Sequence, residues 1–163
     1  MNPSPLFVFQ FLWFLTVWAV LAVLFIAPKV RSYPTDDALA ICIVPQLFRV
    51  LGVGLLAPNL APGMPRSFAL PTALGDSATA LLALISVVAL RNRWQGARKV
   101  AWACNLVGAA DLVIALPHGA ITEAAQFLTA QWYVPALGVP LMIVSHVMSF
   151  RILLGRGRAK SAA

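Results

Sequence analysis

The chain has 163 residues, of which 61% are hydrophobic and only 10% charged, and its mean hydropathy is +0.86. Soluble proteins carry about 25% charged residues, so a water-soluble domain is excluded, and the length leaves no room for a catalytic domain outside the apolar part. The formal charge of +7 does not point to nucleic acid, because Lys and Arg gather in short loops and at the C-terminal end, as topology signals do.

A helix needs about 20 mostly apolar residues to cross roughly 30 Å of hydrocarbon. Five runs qualify, and they predict an all-α membrane bundle occupying residues 1–154, followed by a basic cytoplasmic tail at 155–163. The first run, 6–27, is rich in aromatics (Phe7, Phe9, Phe11, Trp13, Phe14, Trp18, Phe25) and ends at Pro28 and Lys29. It lacks the basic start and small-residue cleavage pattern of a secretory signal, so it is expected to stay attached. Its sparse polarity suits contact with lipid or another subunit.

The second run, 38–57, carries Gln46 and Arg49 in its middle. On the insertion scale a central Arg costs about 2.5 to 3.5 kcal/mol, whereas each Leu, Ile, Phe or Val returns about 0.3 to 0.6. Eleven such residues make insertion favourable without a partner, yet a buried unpaired charge still calls for one after assembly. The third run, 69–90, supplies Asp76, and the fourth, 100–116, supplies Asp111 and Asn105 before ending at Pro117 and His118. The fifth, 132–154, begins with Trp132 and Tyr133, which fit an interfacial aromatic belt, and contains His146.

Ten Lys and Arg fall in the loops 28–37 and 91–99 and at the C-terminal end, against Arg66 alone in the loops 58–68 and 117–131. This asymmetry predicts an outside N-terminus and an inside C-terminus. The expected location is the plasma membrane, of the bacterial inner-membrane type. The expected partners are lipids and a homo-oligomer or larger membrane complex.

At 1.5 Å per residue, Arg49, Asp76 and Asp111 all lie about 8 to 12 Å below the outer surface. Helical spacing puts Thr72, Asp76, Thr79, Ala83 and Ser86 on one face, Cys104, Gly108, Asp111, Ala115 and His118 on another, and Cys42, Gln46 and Arg49 on a third. Such small and polar stripes form the seams of membrane bundles. Arg49, Asp76, Asp111 and Gln46 are therefore the candidate site for a ligand, ion or proton, and the carboxyl left without a full counter-charge is the candidate proton or cation binder. Asn105 and His146 form a second layer nearer the inner face and are placed to hydrogen-bond. His118 is expected at the exposed interface.

No catalytic motif is present: GxxxxGK[ST], HExxH and GxSxG are all missing. No metal site is assigned. The two histidines stand roughly 20 Å apart in depth, too far to share a metal or haem, and Cys42 and Cys104 lack ligand spacing. The sequence leaves the cofactor unknown. Three functions remain: a transporter-like or ligand-binding protein with an intramembrane polar site, an accessory subunit held by its polar seam, and a membrane-embedded enzyme acting on a lipid-like substrate.

Overall fold

The computed structural model describes residues 4–155. Five helices are long and apolar enough to cross a membrane: Ser4–Arg31, Thr35–Leu56, Arg66–Arg91, Ala97–Ile121 and Val134–Gly155. No strand occurs among the described residues. Most of the basic tail lies outside them.

Two helices run past the prolines that were expected to stop them, and a third holds a proline inside it. The first continues through Pro28 to Arg31 because a π-helical turn, Ala22–Ile26, precedes the proline. Such a turn widens the helix where the pyrrolidine ring would otherwise strike the preceding carbonyl. The fourth passes Pro117 and ends at Ile121. The third starts at Arg66 and holds Pro71 near its beginning. A π-helical turn, Val134–Gly138, again accompanies proline at the start of the fifth.

The second helix changes type midway. Thr35–Ile43 is α-helical, and Val44–Leu56 is a 3₁₀ helix of 13 residues beginning around Pro45. Runs of 3₁₀ helix longer than three or four residues are uncommon. With three residues per turn, one face repeats every third residue, and the buried residues of this segment are Gln46, Arg49, Gly52 and Leu55. Four consecutive turns thus point the same way into the bundle.

Pairings fix the directions of the helices. Asp37 meets Arg91, Arg49 meets Asp76, and Leu55 packs with Phe68, so the second and third helices are antiparallel. Asp36 also pairs with Arg98, so the turn between the third and fourth helices and the start of the second share one end of the bundle. Asp36 and Asp37 occupy the first turn of their helix, where the positive end of the helix dipole favours them. Gly96, at φ 81°, adopts the left-handed conformation that turns the chain into the fourth helix.

The first helix stands apart. Ser4–Leu21 has no buried residue, and it leans on the fifth helix through Trp132 Nε1, which donates to Gln10 Oε1 at 2.6 Å, and Trp18 Nε1, which donates to the Leu137 carbonyl. Trp132 is half-buried against Phe7 rather than presented as a surface belt; Tyr133 is exposed. The first and fourth helices hardly meet.

Candidate functional site

Arg49 is the largest fully buried side chain among the described residues. Its guanidinium joins three helices. Nε donates to Asp76 Oδ1 at 2.7 Å, Nη1 to the Gly108 carbonyl at 3.0 Å, and Nη2 to Asp111 Oδ2. Only arginine presents donors in a planar fork wide enough for two carboxyls and a carbonyl at once. The Arg49 side chain has no exposure, whereas those of Asp76 and Asp111 each keep 16%.

Glycines make this closeness possible. A methyl group on Gly52 would stand 2.8 Å from Asp76 Cγ, and one on Gly75 would stand 2.5 Å from Asp111 Cγ. Carbon atoms normally approach to about 3.5–4.0 Å. Each carboxyl therefore lies on a bare backbone surface of the neighbouring helix. Gly108 plays the same part for the fifth helix, since a methyl there would stand 2.8 Å from His146 Nε2.

The two carboxyls form the floor of a cavity of about 370 Å³, large enough for a small molecule. Its walls are apolar: Phe7 and Phe11 of the first helix, Phe68 of the third, Leu112 and Leu116 of the fourth, and Val139 of the fifth. Glu123 lines it at the end of the fourth helix.

Arg49, Asp76 and Asp111 thus meet, farther from their helix ends than the expected spans put them. The 3₁₀ helix rises about 2.0 Å per residue, which puts Arg49 about 14 Å from Leu56. Asp76 is ten residues after Arg66 and Asp111 ten before Ile121, or about 15 Å from those ends at the α-helical rise. The longer helices and the stretched segment account for the difference.

Gln46 does not join them. Its Nε2 donates to the Met142 carbonyl at 3.0 Å and to Ser145 Oγ at 2.9 Å, and Ser145 Oγ donates to the Cys42 carbonyl, so Gln46 ties the second helix to the fifth and does not itself line the cavity. Asn105 and His146 do meet, at 3.0 Å. Asn105 Nδ2 is committed to the Ala101 carbonyl, so Oδ1 is the acceptor and His146 carries its proton on Nδ1. His146 Nε2 is buried without a partner. His118 is half-buried, not exposed, with its ring edge-on to Phe68 at 5.6 Å. Cys42 and Cys104 are buried thiols, and no three His, Cys, Asp or Glu among the described residues are grouped to hold a metal.

Three hydroxyls of the third helix are satisfied locally. Ser77, Thr79 and Ser86 each donate to the carbonyl four residues back, which lets the stripe pack closely without exposing polar groups. Gly52 and Gly75 were the close-approach positions missed from sequence, whereas Gly108 already stood on the fourth-helix stripe. A signal existed in Gly75 directly before Asp76 and Gly52 three residues after Arg49, where a bare backbone beside a charge marks close approach.

A family model matches residues 6–154. The chain belongs to the family described as a domain of unknown function, DUF8737. The match covers all five helices almost completely, including the triad and its glycines. No curated protein and no solved structure matches the chain.

Proposed function

We propose that the chain is an integral membrane protein of the bacterial inner membrane that crosses it five times, N-terminus outside and C-terminus inside, and takes up a small, mainly apolar molecule at the Asp76–Asp111 floor. One observation carries the reading: a fully buried arginine is held between two carboxyls that open onto an apolar cavity. A tie that served packing alone would bury both carboxyls as completely as the arginine. Ionisable groups inside a membrane segment generally face a pathway or cavity, and the excess of Lys and Arg at one end of the bundle supports the orientation.

A second reading, an accessory subunit, is favoured by the first helix, whose Phe9, Trp13 and Phe25 are largely exposed. Substitution separates the two. Under the binding reading, Asp76→Asn and Asp111→Asn reduce binding of a co-purified ligand, detected by native mass spectrometry, in protein that still folds. Under the subunit reading, the same changes lower yield and melting temperature, and the wild-type chain carries no small molecule.

A further inference from the structure

The charge balance at the cavity floor limits what can occupy it. Arg49 brings one positive charge, and Asp76 and Asp111 bring two negative ones when both are ionised. Arg49 lines the cavity as well, but its side chain has no exposure and Nε, Nη1 and Nη2 are all engaged, so carboxyl oxygen is what an incoming molecule can reach. Few other charges face the pair. The second helix contributes Arg49 alone, and the fifth contributes His146, behind Gly108 and bonded to Asn105. Glu123 lines the same cavity just beyond the fourth helix, His118 of that helix stands against Phe68, and Ser4–Leu21 of the first helix contains no titratable side chain.

One uncompensated negative charge in an apolar cavity is costly, so the floor holds either a proton or a cation. We propose that it is an exchange site, at which a hydrophobic monovalent organic cation displaces a proton from the Asp76–Asp111 pair. This rests on the reading of the cavity as a small-molecule site within the membrane. A bare metal ion fits poorly, because it needs several oxygen ligands and the walls are hydrocarbon. An alkyl- or arylammonium needs a single ion pair and apolar walls for its body, and Phe7, Phe11 and Phe68 add aromatic surface to those walls. The exchange balances: the protonated pair gives up one proton as the ammonium arrives, and no other bond is made or broken.

The test uses the full chain in lipid nanodiscs, with benzyltrimethylammonium and its neutral isostere neopentylbenzene as probes. Binding is followed by equilibrium dialysis against empty nanodiscs, and proton release by calorimetry in buffers of different ionisation enthalpy. The expected result is cation binding that releases up to one proton and weakens by up to about tenfold for each pH unit of acidification while the pair is protonated. The neutral isostere should release none. Asp111→Asn, which leaves Arg49 matched by Asp76 alone, should lose both proton release and the preference for the cation; should this variant not fold, the wild-type pH series decides alone. Cation binding without proton release between about pH 5 and 9, or binding of the isostere in preference to the cation, overturns the exchange and leaves the cavity as a binding site. Binding of neither probe removes the small-molecule reading and the exchange with it.

Discussion

Replacing Gly52 by alanine tests whether the Arg49–Asp76 contact depends on a bare backbone. The added methyl would stand 2.8 Å from Asp76 Cγ, so the carboxyl must retreat by about 1 Å to reach ordinary carbon contact. That movement stretches the 2.7 Å bond from Arg49 Nε beyond the roughly 3.2 Å limit of a good hydrogen bond. Overpacking costs about 1–3 kcal/mol, and losing a hydrogen bond to a charged group about 1.5–3. Asp76 retains some exposure, so water replaces part of what is lost and a figure near 3 kcal/mol is expected. For a chain of this size that is a fall in melting temperature of about 6–12 °C. The assay is thermal unfolding in nanodiscs beside Gly138→Ala, whose methyl would have Met142 Cε at 3.9 Å as its nearest neighbour and should change stability by less than about 1 kcal/mol. Equal melting temperatures for the two variants would refute the close-approach argument.

Arg49→Met leaves two carboxyls facing each other without a cation and should destabilise by about 3 kcal/mol or more at pH 8. The loss should shrink toward pH 5, because protonation removes the repulsion between Asp76 and Asp111; a loss independent of pH in unfolding experiments would show that the carboxyls are not paired through Arg49. Asn105→Leu strands a buried histidine N–H and should cost about 1–3 kcal/mol, whereas Asn105→Leu combined with His146→Phe should recover much of it, since removing both partners of a buried bond is close to neutral. Additive losses in denaturation midpoints would contradict the bond. For topology, Glu123→Cys should react with an impermeant thiol reagent on intact cells and Arg98→Cys should not, with little background from the buried Cys42 and Cys104; the reverse pattern would invert the proposed orientation.

Five apolar runs are readable directly because hydrocarbon thickness sets helix length, and the common level of Arg49, Asp76 and Asp111 follows from counting residues. Helix ends were less legible. Pro28 and Pro117 look like stops, but each is accommodated within a longer helix, the first after a π turn. The stripe on the third helix is readable because an α-helix repeats near 3.6, and Thr79, Ala83 and Ser86 are indeed buried. On the second helix Cys42, Gln46 and Arg49 are buried too, but beyond Ile43 the buried face continues every third residue, to Gly52 and Leu55. Gln46 shares that face with Arg49, yet its amide serves the fifth helix. The cavity itself is lined from all five helices and the segment between the fourth and fifth, a packing outcome that no local pattern encodes.

The central claim is that one arginine holds both carboxyls inside the bundle, and solid-state NMR in lipid bilayers tests it most directly. Asp36→Asn with Asp37→Asn leaves Asp76 and Asp111 as the only aspartates in the chain. With ¹³C in the aspartate carboxyls and ¹⁵N in the arginine guanidinium groups, both carboxyl signals should dephase strongly, and neither should when Arg49→Gln is added. Carboxyl signals that keep their intensity beside intact Arg49 would contradict the account.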